Sequence, residues 1–577
     1  MIDHPLSLAG RLWKTGGAGP RLDLGPGASL RDRFLAARPP GPPIAAWLQP
    51  ELRHITELDP FLIKGMDIAA PRLARAAREG ERILVVTDYD VDGTTSSLIL
   101  QHALRLTGGP RADLRWHIPD RFEEGYGFSL RAVERAVEAG VQLIVTADIG
   151  VRDHATVAAA RAHGIDVIIC DHHLPDGEAV PEDATAVLCP PQAGCPYPNK
   201  ALAACGVSLK VAQALLSEHP RFEALMGSFL KLAAIGTVAD LVPLTTLENR
   251  AIVALGLRAL AAGPNQPGLQ ALLDTSGIKP GEAIEAWQLG FYVGPRINAA
   301  GRLDSAGLVV DLLNERDPER ARQGAARLSE LNRERQALQQ DAEAEALAAV
   351  PSPLPAFVVV AGEEDRSGLA SPWHRGVVGI VAGRLKEQLN RPVAVVALSG
   401  DRGRGSVRSI PGVHAVAALE HARDLLVRFG GHPFAAGFEV KRADLPALAA
   451  RLDAWTAGLD EGDLFIPEDD VDGDILVSDL SVPGVEALAA LGPFGKGYEE
   501  PQFVLRGVRA QDLRTMGADG QHLRFTLGPH KAVWFRAPPE AMAALAEEVD
   551  LLVTLQVESW QGRRGVTAKV KDLRFAR

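Results

Sequence analysis

An acidic cluster at the end of an apolar run constrains this chain more than any other feature. Residues 88–93 read Asp-Tyr-Asp-Val-Asp-Gly and directly follow the run Ile-Leu-Val-Val-Thr at residues 83–87. A buried strand that ends in three carboxylates is costly, because like charges repel and burial penalises the charged form. A hard divalent cation, which prefers oxygen ligands, is the natural compensation. The segment therefore predicts a metal site at the end of a buried strand.

Two further segments repeat the pattern of an apolar run followed by an acid. One run leads into Asp148, and a second leads into Asp171, His172 and His173. Ligands of open parallel α/β sheets collect at the carboxyl ends of the strands. The three segments therefore predict one shared metal site.

The first motif also resembles the start of a calcium-binding EF-hand loop, which needs a bidentate glutamate at its twelfth position. Counted from Asp88, the twelfth residue is Ile99, and a strand-like run rather than a helix precedes the motif. These two observations exclude an EF-hand. A second alternative, in which the acids only cap the helix after Gly93, does not account for Asp148 or for the histidine pair.

Length and pattern predict several domains, because 577 residues exceed the roughly 250–300 that one core supports. Asp317 as N-cap and Pro318 at the first helical position indicate a helix of about thirty residues that ends before Pro351. Its apolar stripe is Leu328, Leu331, Leu338 and Ala342, while charged residues such as Arg335 are expected to be solvated. The predicted organisation is a Gly- and Pro-rich arm with little regular structure at 1–45, an α/β domain with a parallel sheet at 46–305, a connecting helix at 306–350, a second α/β domain at 351–460 and a small β-barrel at 461–577.

Composition limits the function further. The net charge of −12 argues against a protein that coats nucleic acid non-specifically, although basic residues can still line one channel. No secretory signal and no membrane-spanning run is evident, so we expect a cytoplasmic protein. The four cysteines lack Cys-x-x-Cys spacing and are expected to be free thiols. A repeat of the acidic motif at residues 470–474 lacks a buried strand before it and is interpreted as a solvated turn.

The acidic segments resemble the first three motifs of the DHH phosphoesterase superfamily, and within it the RecJ family of exonucleases specific for single-stranded DNA. The likeness continues in Gly-Thr-Val-Ala-Asp-Leu-Val-Pro-Leu at 236–244, Gly-Pro-Arg-Ile-Asn-Ala-Ala-Gly-Arg-Leu at 294–303 and Gly-Gly-His at 430–432. The resemblance implies a parallel-sheet DHH domain, joined by the long helix to a second α/β domain of the DHHA1 type, and then a C-terminal OB-type β-barrel.

Seven side chains then form the candidate catalytic and metal site. Carboxylates with one or two imidazoles suit Mn²⁺ or Mg²⁺, and we expect two ions about 3.5–4 Å apart. Asp148 and Asp240 are the expected bridging ligands, and which histidine binds metal stays open. The seven are Asp88, Asp90, Asp92, Asp148, His172, His173 and Asp240.

The substrate contacts are assigned by the same resemblance. A Gly-rich loop that carries Ser406 and Arg408 is expected to hold the 5′-terminal phosphate, and His432 lines the same cleft. Arg121 and Arg296 are expected to contact the DNA backbone. Arginine suits this purpose because its planar guanidinium binds phosphate in a bidentate manner.

The C-terminal domain offers aromatic and basic residues in the mixture that OB-folds use for single strands. Trp560, Arg563 and Arg564 are candidates for contact with nucleic acid, whereas Phe525 and Trp534 lie within strand-like runs and are equally expected in the core.

The resulting hypothesis is a 5′→3′ exonuclease on single-stranded DNA that releases 5′-mononucleotides in recombination and repair. The implied partners are a single-stranded-DNA-binding protein and a RecQ-type helicase, and the enzyme is expected to be a monomer. A DHH phosphodiesterase acting on short oligonucleotides or cyclic dinucleotides is one alternative, but the extra length favours a polymer. A non-catalytic DNA-binding scaffold is another, but every acid and both histidines are present.

Overall fold

The computed structural model describes residues 6–15, 27–39, 41, 43–364, 371, 373–460, 462–517, 519–560 and 563–576. The strands in these residues form four sheets, of which three contain five or more strands. Each of the three large sheets occupies its own part of the chain, and one long helix lies between the first and the second.

The first half of the chain builds a five-stranded parallel sheet that carries helices. Its elements are β1 (Leu12–Thr15), α1 (Leu30–Ala37), α2 (Ile44–Leu48), α3 (Arg53–Thr56), α4 (Met66–Glu79), β2 (Arg82–Thr87), α5 (Val91–Gly108), β3 (Asp113–His117), α6 (Leu130–Glu138), β4 (Leu143–Ala147), α7 (His154–Ala162), β5 (Asp166–Cys170), β6 (Ala186–Leu188), α8 (Ala204–Leu216), α9 (Phe222–Ala239), α10 (Leu247–Ala262), α11 (Pro267–Thr275), α12 (Ala286–Gln288), α13 (Gly294–Leu303) and α14 (Gly307–Asn314). The strand order is β3-β2-β4-β5-β6, and every neighbouring pair is parallel.

Strand β2 shows why this sheet is buried on both faces. Ile83 and Val85 pack into one hydrophobic core, whereas Leu84 and Val86 pack into another on the opposite face. Two-sided burial of this kind is typical of parallel sheets, whose crossover helices cover both faces. The parallel sheet predicted from the alternating pattern is therefore confirmed, and the three predicted strands agree with β2, β4 and β5 to within one residue.

Helix α15 (Pro318–Ala348) has 31 residues and begins at Asp317, whose side chain accepts hydrogen bonds from the N–H groups of Glu319 and Arg320. The predicted apolar stripe is buried. The helix does more than connect two domains, because its first half packs in the core of the first domain and Ala342 and Ala346 pack in a core of the second. Arg335, which was expected to be solvated, is half-buried and donates to Gln339 Oε1 at 2.7 Å.

The second α/β unit contains a mixed sheet. Its elements are β7 (Val358–Glu363), α16 (Val378–Leu389), β8 (Val393–Ser399), β9 (Arg402–Arg408), α17 (Ala415–His421), β10 (Leu426–His432), β11 (Ala435–Lys441) and α18 (Leu445–Ala457). The strand order is β10-β11-β9-β8-β7, with only β7 and β8 parallel. The predicted Gly-rich loop around Ser406 is instead strand β9.

The C-terminal part is β-rich. It contains β12 (Glu468–Val471), β13 (Asp474–Ile475), α19 (Val482–Ala489), β14 (Phe503–Val508), β15 (Gln511–Met516), β16 (His522–Leu527), β17 (His530–Trp534), α20 (Ala541–Ala544), β18 (Val549–Trp560) and β19 (Arg563–Phe575). Seven strands form one sheet in the order β13-β14-β18-β19-β17-β16-β15. Phe525 and Trp534 are buried in its core.

The N-terminal arm is more regular than its glycine and proline content predicts. Strand β1 pairs in parallel with β12, and α1 begins at a capping box formed by Ser29 and Asp32. The expectation of little regular structure is therefore wrong for the described part of the arm. The reason is a strand partner more than 450 residues away, which no local pattern can reveal.

The predicted solvated turn at residues 470–474 is also wrong. Strand β12 extends into its first two residues, and Asp472 is only 5% exposed. Its carboxylate accepts from Arg38 Nε at 2.6 Å and from the Gln502 N–H at 2.8 Å. Burial raises the pKa of Asp472 to about 6 despite the guanidinium. The carboxylate therefore joins the arm to the C-terminal domain as half of an ion pair.

Helix α9 ends beside the acidic cluster. Within the described residues it is the one helix long and apolar enough to cross a membrane. It packs against α5, α8 and α10, and 56% of it is buried inside the protein. This burial is typical of a core helix, and its C-cap is Asp240.

Arg250 links three parts of the chain. Its guanidinium lies 3.6 Å from the centre of the Trp47 ring and donates to the carbonyl oxygens of Trp47, Leu491, Gly492 and Pro493. One buried side chain thus fixes the C-terminal domain against α10 and the segment that follows the arm.

Candidate active site

The turn after β2 brings three acids together. Asp88 follows the strand, and Asp90 is the N-cap of α5, accepting from the Gly93 N–H at 3.0 Å. A side chain at Gly93 would collide with the carbonyl of Asp88, so the tight turn requires glycine. The acids are consequently held by backbone geometry at the carboxyl end of β2.

Asp148 follows β4 in a strained conformation. Its φ of 64° lies in the left-handed region, which residues other than glycine seldom adopt. Gly150 has a φ of 115°, and a side chain there would collide with Thr146 Oγ1. Strain of this kind persists where the surrounding structure enforces it, and it often marks a functional site.

His172 connects acids from three elements. Its Nε2 lies 3.2 Å from Asp148 Oδ1, 3.7 Å from Asp240 Oδ2 and 3.9 Å from Asp92 Oδ2. This nitrogen is buried and has no hydrogen-bond partner. Burial lowers the pKa of His172, which favours the neutral imidazole that binds metals. An unpartnered imidazole nitrogen that faces three carboxylates fits a cation site.

All seven predicted residues come together in overlapping groups. Ligand atoms lie within 4.8 Å of one another in each of three sets, and Asp148 and His172 each belong to two of them. Overlap of this kind fits two adjacent cations that share ligands. The three sets are Asp148–His172–His173, Asp92–His172–Asp240 and Asp88–Asp90–Asp148.

The protein places too little positive charge near these acids to balance them. The pKa of Asp88 and that of Asp148 are raised well above the ordinary range, mainly by burial and secondly by repulsion from Asp90. Burial, followed by repulsion from Asp92, raises the pKa of Asp240 to about 8. Bound divalent cations would reverse these shifts, because they favour the charged carboxylates.

Asp92 has a second role. Its two oxygens accept from the N–H groups of Ala204 at 2.7 Å and Cys205 at 2.9 Å, at the start of α8. A side chain at Gly236 would approach Asp92 Oδ1 to 2.9 Å, so α9 can pass only with glycine there. Asp92 therefore fixes α8 and α9 around the site as well as facing His172.

Asp171 belongs to the third motif but was not among the predicted site residues. Its carboxylate accepts from the N–H groups of His172 and His173 and from His173 Nδ1 at 2.8 Å. Burial opposes ionisation, yet the bonds from His173 lower the pKa of Asp171 to about 2. In return, although burial acts against it, Asp171 raises the pKa of His173 to about 9. Asp171 thus orients a protonated His173.

His173 is also where the two α/β domains meet. Its Nε2 lies 3.2 Å from the hydroxyl of Tyr126, and the ring of His432 stacks on it with centroids 6.0 Å apart. His432 ends β10 of the second domain. The cleft between the domains therefore opens directly on the acidic cluster, with His432 on the opposite wall as predicted.

A cluster of arginines lines the same cleft. Burial lowers the pKa of Arg302 to about 9, and repulsion from Arg121, Arg335 and Arg408 adds to this effect. In the part of the chain that the structure describes, none of the four has an ion pair with a carboxylate. Arg121 instead lies 4.6 Å from the centre of the Tyr89 ring, and Arg302 Nη1 donates to the Gly376 carbonyl at 2.9 Å. Guanidiniums without a carboxylate partner are suited to bind an anion.

Ser406 and Arg408 face the start of α16. Arg408 Nη1 donates to Ser406 Oγ at 3.1 Å, and a side chain at Gly379 would lie 3.1–3.2 Å from both residues. A helix N-terminus favours anions, because its first N–H groups are unpaired and carry partial positive charge. The missing side chain at Gly379 leaves room for an anion to approach.

Four predicted contact residues lie elsewhere or are only partly described. Arg296 donates to Ser329 Oγ, the Tyr292 carbonyl and the Thr275 carbonyl, and so joins three helical segments rather than entering the arginine cluster. Arg302 and Arg335 occupy that position instead, and the spacing alone could not distinguish them from Arg296. The Trp560 side chain lies outside the described residues. Arg563 is exposed, and Arg564 forms an ion pair with Glu486.

Sequence models of protein families match three parts of the chain. The N-terminal domain of the DHH family matches residues 82–237, the DHHA1 domain matches 358–458, and the RecJ OB domain matches 471–572. The acids at the end of a parallel sheet, and the arginine-lined cleft between this domain and the second, thus define the DHH/DHHA1 class of phosphoesterases. The predicted fold, with its C-terminal OB-type domain, is confirmed.

Individual relatives narrow this class. The single-stranded-DNA-specific exonuclease RecJ of Salmonella typhimurium is 38% identical, and the matched region covers 89% of this chain and 90% of that relative. The RecJ of Bacillus subtilis is 36% identical over 89% of this chain, which spans 64% of that relative's length. The crystal structure of the Thermus thermophilus RecJ with Mn²⁺ is similar at a TM-score of 0.75 and 32% identity, and the match covers 93% of this chain and 78% of that one. The structure of the same protein with Mg²⁺ gives a TM-score of 0.70 at 30% identity and covers 93% and 77%. The chain belongs to the RecJ family.

Proposed function

We propose that this protein is a metal-dependent exonuclease that degrades single-stranded DNA in the 5′→3′ direction and releases 5′-mononucleotides. The observation that carries the proposal is the meeting of two buried charge clusters of opposite sign in one cleft. The carboxylates around His172 suit divalent cations, and the guanidiniums around Arg302 suit phosphate. A nucleic-acid strand presents phosphates to both. The RecJ relatives named for single-stranded DNA support the choice of substrate.

Two Mn²⁺ or Mg²⁺ ions fit the acidic cluster, and Asp148 is the best-placed shared ligand because it belongs to two ligand sets. When bound, such ions supply a lowered pKa of water and stabilise charge on phosphoryl oxygens. His172 would present the lone pair of Nε2 to one ion. His173, protonated and held by Asp171, would donate a hydrogen bond from Nε2 to a phosphoryl oxygen. The metal ligands in this proposal are Asp88, Asp90, Asp92, Asp148, His172 and Asp240, while His173 contacts the substrate.

The 5′-terminal phosphate would bind between Ser406, Arg408 and the start of α16. Arg121 lies close enough to influence both clusters, since its charge offsets part of the rise in the pKa of Asp88 and, after burial, adds to the lowering of the pKa of Arg408. Arg302 replaces Arg296 in this proposal, because the guanidinium of Arg296 is already bonded within the first domain. His432 would close the cleft over His173.

The wider setting follows from the family. We place the enzyme in the cytoplasm, as a monomer that acts in recombination and repair with a single-stranded-DNA-binding protein and a RecQ-type helicase. The C-terminal domain would hold the strand through Trp560, Arg563 and Arg564. The domain boundaries after residues 45, 305, 350 and 460 form part of the same proposal.

The test is digestion of 5′-labelled and 3′-labelled single strands, each with Mn²⁺ and with Mg²⁺, beside a blunt duplex. Single strands should shorten from the 5′ end to mononucleotides. The blunt duplex should resist until it carries a 5′ tail, because we expect the cleft between the domains to admit one strand and to exclude a duplex. Release from the 3′ end, or equal rates on blunt duplex and single strands, would overturn the proposal.

The same assay separates the two alternatives. Hydrolysis confined to dinucleotides or cyclic dinucleotides would favour a small-substrate phosphodiesterase. Tight binding of single strands without hydrolysis in either metal would favour a DNA-binding scaffold.

A further inference from the structure

Asn249 is a buried residue whose side-chain amide joins two loops beside the acidic cluster. It lies in the first turn of α10 and is fully buried. Its Nδ2 donates to the carbonyl oxygen of Ala201 at 2.6 Å and to that of Pro243 at 2.9 Å. Each hydrogen of the amide thus has an acceptor in a different loop, and one nitrogen holds the two loops together.

Both loops lead directly to proposed metal ligands. Ala201 lies three residues before Ala204, whose N–H donates to the carboxylate of Asp92 at 2.7 Å. Pro243 lies three residues after Asp240. The residues between belong to no helix or strand, so their position depends on contacts from other elements. Asn249, on a helix that packs against α9, is such a contact for both loops.

The loop after Asp240 also has backbone strain. Leu241 has a φ of 57°, and a bulky residue in this left-handed region is an outlier. A strained conformation persists only where the surrounding structure enforces it. The bond from Asn249 to the Pro243 carbonyl fixes the chain two residues beyond Leu241, and so helps to hold Asp240 at the end of α9.

The hydrogen bonds of the network fix which end of the Asn249 amide faces the loops. Its Oδ1 accepts from Asn199 Nδ2 at 2.9 Å, and Asn199 Oδ1 accepts from the Ala201 N–H at 3.1 Å. Carbonyl oxygens only accept hydrogen bonds, so the end that faces Ala201 and Pro243 has to be the NH₂ group. A carboxylate of the same shape could not replace it.

Glu248 anchors the network on the side away from the loops. Its carboxylate accepts from Asn199 Nδ2 at 3.1 Å and from the Tyr197 hydroxyl at 2.6 Å, and it lies 3.0 Å from Lys210 Nζ. All these side chains are buried. A buried polar network whose members are bonded to one another is rigid and specifies a single arrangement. Asn249 is therefore held as firmly as the loops that it joins.

We propose that Asn249 is a positioning residue for the metal site, because one amide sets the separation between the loop that supports Asp92 and the loop that begins at Asp240. The inference rests on the proposed function, in which both carboxylates and His172 bind a divalent cation. Ligand atoms of these three residues lie within 4.8 Å of one another. Asn249 would touch neither the cation nor the DNA, and would act only through the ligands that it holds in place.

The test measures Mn²⁺ binding by calorimetry in the absence of DNA. Asn249→Ala should raise the Kd of Mn²⁺ about ten- to hundred-fold, the range typical of residues that orient metal ligands. Asn249→Asp keeps the shape of the side chain but places an acceptor against two carbonyl oxygens, so it should also weaken binding. The added negative charge alone would attract Mn²⁺, so weaker binding by this variant would identify lost positioning rather than changed charge.

Gln213→Ala is the matched control. Gln213 is 4% exposed, and its Nε2 donates to the carbonyl oxygens of Thr56 at 2.8 Å and Leu58 at 3.3 Å, so it too holds a loop through a buried amide. It lies nine residues after Ala204 on α8, which is about 14 Å from the end that meets Asp92. This variant should lower the melting temperature, as Asn249→Ala should, but leave the Kd of Mn²⁺ unchanged.

A milder variant covers the case in which Asn249→Ala does not fold. Asn199→Ala removes the donor to Asn249 Oδ1 and the acceptor of the Ala201 N–H, but it leaves both carbonyl bonds of Asn249 in place. It should raise the Kd of Mn²⁺ several-fold, and less than Asn249→Ala does. Where both single variants fold, the double variant should bind Mn²⁺ about as Asn249→Ala does, because the two residues act through the same loops.

Kinetics give a second measurement. In Asn249→Ala the Mn²⁺ concentration for half-maximal turnover should rise by the same factor as the Kd, and excess Mn²⁺ should restore part of the turnover. The KM for single strands should change less than about twofold, because the proposed phosphate contacts come from the arginines on other elements. A purely structural role would lower the melting temperature without changing the Mn²⁺ requirement.

Two results would overturn the inference. One is an unchanged Kd of Mn²⁺ in the folded Asn249 and Asn199 variants. The other is an equal rise in Gln213→Ala, which would show a general loosening of the domain. Failure of the proposed function is distinguishable from both. Release from the 3′ end would refute the proposed polarity and leave the calorimetric comparison valid, whereas a wild type that binds no Mn²⁺ would refute the metal site and this inference with it.

Discussion

The carboxylates around His172 and the guanidiniums around Arg302 are buried charges of opposite sign, and the protein compensates them differently. The acids receive backbone N–H groups, as Asp92 does from the start of α8. The arginines receive carbonyl oxygens and ring faces, as Arg302 does from Gly376 and Arg121 does from Tyr89. Both clusters still lack neighbouring charges of the opposite sign. The pKa of Asp148 is therefore raised and that of Arg302 is lowered.

The two clusters adjoin each other, yet no ion pair joins them in the described part of the chain. Arg121 comes close enough for its charge to offset part of the rise in the pKa of Asp88, but its guanidinium stacks on Tyr89. A structure selected only for stability would pair these groups, since unpaired buried charges are expensive. The separation instead leaves one cluster for cations and the other for phosphate, so each cluster can be tested by removing one charge.

The largest effect should come from the acids. Asp148→Asn removes the charge of a shared ligand, while asparagine tolerates the left-handed backbone that Asp148 adopts. Turnover of 5′-phosphorylated single strands with Mn²⁺ should fall by more than about a thousand-fold. Steady-state kinetics on the purified variant measures this loss.

The matched control is Asp470→Asn, an exposed acid in the repeat of the same motif. It should retain wild-type turnover. Near-normal turnover of Asp148→Asn, with a melting temperature that shows an intact fold, would refute the shared-ligand assignment.

The next effect should come from the arginines. A charge-assisted bond from arginine to phosphate contributes about 1.5–3 kcal/mol, so Arg408→Ala should narrow the preference for a 5′-phosphate over a 5′-hydroxyl about ten- to hundred-fold. The ratio of kcat/KM on the two substrates measures this preference. Calorimetry should show unchanged Mn²⁺ affinity, because Arg408 touches no proposed ligand.

Arg296→Ala is the control for this prediction, because that guanidinium bonds only within the first domain. It should keep the full ratio. If Arg408→Ala kept it too, the phosphate would bind elsewhere, and Arg121 and Arg302 would be tested next.

A smaller effect is expected on the pH dependence of the melting temperature in the absence of metal. Burial raises the pKa of Asp240 to about 8, well above its value in an unfolded chain. A raised carboxyl pKa contributes stability that is present at low pH and is lost as the pH rises through the folded value. In EDTA the melting temperature should therefore fall by several degrees between pH 5 and pH 8, and Mn²⁺ should restore it at pH 8.

The difference between the wild type and Asp148→Asn isolates this effect from other titrations. Because the variant removes one repelling charge, its melting temperature in EDTA should fall less steeply over the same range. Parallel curves for the two proteins would show that repulsion among the acids does not limit stability.

Most of the acidic cluster could be predicted from sequence, because Asp88, Asp148 and the histidine pair follow strands that periodicity already identifies, whereas Asp240 ends a helix and was assigned by the family motif. Asp88, Asp148 and His172 needed only the rule that parallel strands end at one edge of the sheet. The arginine cluster could not be predicted in the same way. Arg302 lies on α13 only six residues from Arg296, and the choice between them depends on which helix face meets the second domain.

Long-range pairing limited the prediction of the fold for a similar reason. The arm looked irregular because β1 has its partner in β12, and the second acidic motif looked solvated because Arg38 is distant in sequence. Asp171 was overlooked for a different reason. Its role depends on the turn that directs its carboxylate at the His173 ring, which the order of residues in the motif does not show.

The smallest effect should come from charges that are exposed rather than buried. Arg563 is solvent-exposed, and the ion pair of Arg564 with Glu486 joins side chains that are 55% and 45% exposed, so it contributes little to stability. Replacing both arginines with alanine should weaken binding of a long single strand only a few-fold near physiological salt. The slope of log Kd against log salt should decrease by about 1.4, since each contact to a single strand contributes roughly 0.7. Arg322→Ala, which removes a similarly exposed charge from α15, should leave the slope unchanged. An unchanged slope in the double variant would show that the strand does not follow this edge of the C-terminal sheet, and the buried arginines would then account for the phosphate contacts alone.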